Sequence, residues 1–143
     1  MKFLKSPIAL LFAALFIVAA CSRYDEGGFS LRSPEARLTQ KWEVEQATDK
    51  DGNDVTDNFE GSSITFADDN TFTQTFTQMG QSVTTDGTWE FEEDKTQIIT
   101  EIEFNFGGVT FTETDTATIL RLTGSEFWVN SSDNSEIRYM SAE

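Results

Sequence analysis

The chain has 143 residues, with 25 acidic and 10 basic side chains, a formal net charge of −15, no histidine and a single cysteine. The missing histidine removes histidine general bases, Ser–His and Cys–His nucleophile pairs, and histidine-ligated zinc or haem. The lone cysteine excludes an intrachain disulfide, and the charge makes nucleic acid and anionic lipid headgroups poor partners.

The first 20 residues have the order of a secretory signal. Two lysines stand within Met1 to Lys5, an uncharged apolar run extends from Ile8 to Val18, and the small residues Ala19 and Ala20 follow. The run is too short to span a bilayer. Val18-Ala19-Ala20-Cys21 resembles the lipobox of bacterial lipoproteins. The resemblance implies that the Cys21 thiol receives a diacylglyceryl group and, after cleavage, becomes the N-terminus, held in the membrane by acyl chains such as palmitate. More than one such chain makes the anchor effectively stable. The alternative is an ordinary secreted chain with an exposed, partnerless thiol near its cut site. Ser22-Arg23-Tyr24-Asp25-Glu26 is similar to the acidic post-cysteine signal that sends Bacteroidota lipoproteins to the outer face of the outer membrane. Read simply as a solvated spacer, it leaves both the periplasmic face and the cell surface open.

Removing residues 1–20 leaves 123 residues with a net charge of −17, room for one small domain and a linker. Ten phenylalanines, three tryptophans and two tyrosines remain in that length, enough aromatic surface for a packed core in spite of the charge. The expected division is a signal peptide over 1–20, a lipidated tether over 21–36, and a single β domain over 37–143. Near the boundary, Ser33-Pro34-Glu35-Ala36-Arg37-Leu38 offers an N-cap serine and a first-turn proline for one short helical turn.

From Gln40 onward the apolar period is close to two. Trp42 and Val44, Ile64 and Phe66, Phe72 and Phe76, and Trp89 and Phe91 alternate with polar neighbours. So do Ile98, Ile102 and Phe104, then Val109 and Phe111, Leu120 and Leu122, Phe127 and Val129, and Ile137 and Tyr139. Each set predicts a half-buried strand. No proline follows Pro34, as expected where backbone N–H groups serve a ladder. Turn signals separate the runs at Asp51-Gly52-Asn53, Gly61, Asp68-Asp69-Asn70, Gly80, Glu93-Asp94, Gly107-Gly108, Gly124 and Asp133-Asn134. Within Phe66-Ala67-Asp68-Asp69-Asn70-Thr71-Phe72, a left-handed Asn70 predicts a three-residue hairpin loop that pairs Phe66 with Phe72. Eight or nine short antiparallel strands result. So many strands must close or fold over to hide their edges, and the short connections favour an up-and-down meander barrel over a sandwich.

Four segments carry a family likeness: Leu38 to Val44, Ile64 to Phe72, Asp86 to Phe91, and Ala117 to Thr123. In order and spacing they resemble the lipocalin-like domain of small Bacteroidota outer-membrane lipoproteins over roughly residues 38 to 140. The glycine that usually stands two residues before the first-strand tryptophan is Gln40 here. The resemblance implies a β-barrel of about eight strands, with Trp42 closing its base and Arg121 or Arg138 as a stacking cation across it. Trp42 as a plain core aromatic is the simpler alternative.

Carboxylates are the remaining acid–base candidates, but they fall mostly in turns or at outward strand positions, so neither catalysis nor a cofactor is expected. Asp49 to Glu60 imitates a calcium loop through Asp49, Asp51, Asn53 and Asp54, but its glycine is at the fourth position and a strand precedes it, so a solvated loop is the preferred reading. Phe104 to Phe111 reads either as a ligand-contacting rim or as core on both sides of a turn. Two functions remain open. In one, Phe66, Phe72, Phe76, Trp89, Phe91, Phe104 and Leu120 wall a cavity that holds a small apolar ligand without covalent chemistry. In the other, those side chains fill the barrel, and the protein is a surface interaction module or an accessory subunit of an outer-membrane complex.

Overall fold

The computed structural model describes Tyr24 and residues 31–142. The signal segment, the lipobox and Cys21 lie outside the described residues. A five-residue helix, α1 (Pro34–Leu38), precedes eight strands: β1 (Lys41–Thr48), β2 (Ser63–Phe66), β3 (Thr71–Gln78), β4 (Gln81–Glu92), β5 (Gln97–Phe106), β6 (Val109–Leu122), β7 (Glu126–Ser131) and β8 (Glu136–Ser141). Every strand is antiparallel to the next, and β8 pairs with β1, so the sheet closes into an eight-stranded meander barrel.

Local chemistry sets the connections. Ser33 caps α1 by accepting a hydrogen bond from the Ala36 N–H at 3.2 Å, and Pro34 occupies the first turn. The β2–β3 hairpin follows the sequence expectation. Asn70 has φ 65°, the Ala67 N–H bonds the Thr71 carbonyl at 2.9 Å, and Phe66 stands opposite Phe72. The β7–β8 turn uses the same chemistry, with Asn134 at φ 68° and the Asp133 carboxylate accepting from the Ser135 N–H and hydroxyl.

The long strands differ from the short ones expected. β4, β5 and β6 run 12, 10 and 14 residues, continuing through the threonine-rich stretches 81–88 and 112–118. Together β5 and β6 form a hairpin whose register runs unbroken from Gln97↔Thr118 to Phe106↔Val109. Bulges interrupt β1 between Val44 and Gln46 and β6 between Ile119 and Arg121, where they add local twist.

The core lies toward the end of the barrel covered by α1. Leu38, Trp42, Leu122 and Phe127 are its largest completely covered side chains. Trp42 packs on Phe127 at 5.6 Å between ring centroids, and Phe66 meets both Phe127 and Trp89 edge-on at 5.9 and 5.8 Å. Such tilted pairs suit the ring quadrupoles. Tyr24, which the sequence places in the tether, is only 5% exposed and joins this cluster.

Candidate functional site

The two ends of the barrel have different chemistry. At the closed end, the Trp42 indole N–H donates to the Leu38 carbonyl at 2.9 Å, and the buried Arg37 guanidinium donates to the Leu122 carbonyl at 2.6 Å. Arg37 also lies 5.8 Å from the Tyr24 ring centroid. The cation at the base is therefore Arg37. Arg121 and Arg138 instead flank Trp128, at 5.2 and 4.1 Å from its ring, because their registers place both directly opposite that residue. Trp128 lies between the core residues Phe127 and Val129, and strand alternation turns it outward.

Toward the other end the barrel is hollow. A deep chamber of about 160 Å³ is bordered by Phe66, Ile98, Phe127, Val129, Ile137 and Tyr139. An outer space of about 580 Å³ opens beyond it, bordered by Phe72, Phe76, Ile102 and Phe104. The two share Ile64, Gln74, Thr100 and Asp115, so they adjoin. Gly87 shapes this region. It stands opposite Phe72, and a Cβ built on it falls 2.6 Å from the Phe72 ring, so only a missing side chain leaves that ring its place.

The candidate residues divide accordingly. Phe66 borders the deep chamber, and Phe72, Phe76 and Phe104 border the outer space. Trp89 and Phe91 face a separate groove outside the closed end, between α1 and the β4–β5 turn, which the Lys95–Glu35 ion pair ties together. The Trp89 indole N–H donates to the Ala67 carbonyl at 3.1 Å. Leu120 is the half-buried extra residue of the β6 bulge, so the covered inward positions beside it belong to Ile119 and Leu122. In the loop after β1, the Asp49 carboxylate accepts from the Asp51 and Asn53 N–H groups at 2.9 Å, and Asp54 accepts from Thr56. Hydrogen bonds from Asn53 hold the Asp49 carboxyl below its ordinary pKa. The Asn53 side-chain amide donates to the Asp49 carboxylate at 3.1 Å, and no group of three or more His, Cys, Asp or Glu residues that could hold a metal ion occurs among the described residues.

Sequence reasoning did not single out the polar residues inside the barrel: Gln74, Thr85, Thr100, Glu113 and Asp115. Their signal was the strand period. Counting back in twos from Ala117 reaches Asp115 and Glu113, which stand opposite Thr100 and Ile102 on the inner face. Burial pushes the Asp115 carboxyl above its ordinary pKa, with the charges of Asp133 and Glu113 adding to the effect and the Thr116 backbone N–H opposing it.

Burial, reinforced by the Asp115 charge, pushes the Tyr139 phenol up to about 12. The ring is enclosed by the barrel wall, and the part of its surface left uncovered borders the deep chamber. Because the folded pKa lies above the ordinary value of about 10, the stabilisation is complete below pH ~10 and is lost as pH rises toward ~12, a fall of about 3 kcal/mol. Denaturant unfolding measured across that range should show this slope, and Tyr139→Phe should flatten it. An equal slope in the variant would assign the alkaline loss to other groups.

The family model described as a lipocalin-like domain matches residues 38–129. No curated protein matches the sequence. Among solved structures, a lipocalin-like protein from Bacteroides uniformis ATCC 8492 is similar with a TM-score of 0.56 at 13% identity, covering 74% of this chain and 99% of that one. An uncharacterized protein from Bacteroides eggerthii DSM 20697 also has a TM-score of 0.56 at 13% identity, with 73% and 99% covered. At that identity the likeness concerns the fold.

Proposed function

The chain belongs to the lipocalin-like domain family, and on that premise we propose that it is a lipid-anchored outer-membrane protein whose barrel binds a small, largely apolar molecule without covalent chemistry. The observation that carries this reading is the outer space of about 580 Å³ that adjoins a deeper chamber. Its size falls within the range of small-molecule sites, and its wall combines aromatic rings with a few convergent polar groups. Entry through the open end would remove the ligand's apolar surface from water, at roughly 25 cal/mol per Å² covered. No catalytic step is involved. The anchor is Cys21, on the strength of the lipobox-like Val18-Ala19-Ala20-Cys21, and the acidic segment behind it supports an outer-membrane destination.

One observation favours the interaction-module reading. The β5–β6 hairpin carries Phe104, Phe106, Val109 and Phe111, which are 49, 80, 55 and 46% exposed, a larger apolar tip than a ligand mouth alone needs. Thr100→Phe separates the two readings, because Thr100 borders both spaces and a ring there would block them. The variant should keep the β circular-dichroism spectrum and lose enhancement of a neutral naphthylamine fluorescence probe. Undiminished probe binding by a folded variant would overturn the cavity reading.

A further inference from the structure

We propose that the ligand of this barrel is an organic cation, an amine with an apolar body, whose charged group is seated against Asp115 and Glu113. The inference rests on the cavity reading above and adds the ligand's chemical class.

The lining carries charge of one sign only. Asp115 borders both spaces and Glu113 the outer one, and neither lysine nor arginine lines either. Asp115 and Glu113 are two positions apart on β6, so both project from the same face, the one that carries Ala117 and Ile119 into the core. They form a polar belt between the apolar base at Phe66 and Phe127 and the apolar rim at Phe76 and Phe104.

A second, independent observation marks this belt as incomplete. The Thr85 hydroxyl oxygen borders the outer space, is withdrawn from solvent and has no hydrogen-bond partner. Buried polar atoms are rarely left so, because each costs the full desolvation of the group. The Tyr139 side chain borders the deep chamber, as Asp115 does. Carboxylate and hydroxyl oxygens with open lone pairs match an ammonium group, which brings several N–H donors and no acceptor. A fatty-acid carboxylate would place a third negative charge against Asp115 and Glu113 with no cation to offset it.

The test uses three probes with the same eight-carbon body, octylamine, 1-octanol and octanoate, titrated calorimetrically into the purified full chain at neutral pH. The amine should bind at least about tenfold more tightly than the alcohol, the scale of a hydrogen bond to a charged group, and the carboxylate should not bind. The variant Asp115→Asn with Glu113→Gln keeps side-chain size and should erase the amine preference while leaving octanol affinity unchanged. Glu90→Gln with Glu101→Gln removes two exposed charges from the outer wall and should preserve the preference, which separates a seated amine from general attraction to an acidic protein. Equal binding of amine and alcohol would overturn this inference and leave the cavity reading standing. Binding of none of the three would overturn both. An amine preference that survives the belt variant would also overturn it.

Discussion

Replacing Trp42 with alanine should destabilise the protein by about 3–5 kcal/mol, the range for deleting a large buried aromatic. The ring is completely covered, contacts Phe127, and donates its indole N–H to the Leu38 carbonyl at the point where α1 meets the barrel. Alanine would leave a cavity at the base and take away one of the two donors to the Leu38 carbonyl, which keeps only the Gln40 N–H at 2.8 Å. Since single domains are held by about 5–15 kcal/mol, such a loss takes much of what is available. Urea unfolding is the measurement. Trp42→Phe should recover part of the packing but not the hydrogen bond, and so fall between the two. A loss below 1 kcal/mol for Trp42→Ala would mean that this end of the barrel is not the main source of stability.

The second large effect runs in the opposite steric direction. Gly87→Ala adds one methyl group, yet its carbon would lie 2.3 Å from the Glu101 carbonyl oxygen and 2.6 and 2.8 Å from two atoms of the Phe72 ring. The carbonyl belongs to the paired strand β5 and cannot swing away as a side-chain tip can. The expected loss is about 3 kcal/mol, toward the upper end for overpacking. Phe72→Ala should relieve the ring clash and leave the carbonyl clash, so the double variant should be more stable than the sum of the two single losses predicts. Additive losses would show that Phe72 moves aside at no cost.

The outline of this fold was legible because most strands obey one rule. Where one face meets an apolar core, alternation appears in the chain, and Phe66, Phe72, Trp89 and Ile98 are all buried as their spacing predicts. Turn chemistry was equally readable at Asp69-Asn70-Thr71, where a short carboxylate, a residue tolerant of positive φ and a hydroxyl combine locally. The rule fails in the outer halves of β4 and β6. There Thr85, Glu113 and Asp115 face inward, so both faces of the strand are polar and alternation vanishes, although the ladder continues through Thr75↔Thr84 and Ile102↔Glu113. The place where pattern reading loses the strand is the place where the barrel stops being filled.

Other differences have equally local causes. Leu120 looked like an inward residue because Leu122 is one, but the β6 bulge resets the alternation between them. Arg121 and Arg138 were linked to Trp42, yet direct cross-strand pairing gives them Trp128, and sequence spacing alone does not reveal which tryptophan lies opposite. Arg37 at the base escaped notice because a single turn of helix gives no periodic signal. These corrections leave the barrel topology intact.

The most direct test of the central claim is native mass spectrometry of the protein gently extracted from its own membrane. The account predicts a chain beginning at Cys21, heavier by its acyl groups, that carries one further discrete mass of a small molecule released on denaturation. An acylated chain with no small molecule, or one that arrives bound only to another polypeptide, would contradict the ligand-binding barrel and favour the interaction module.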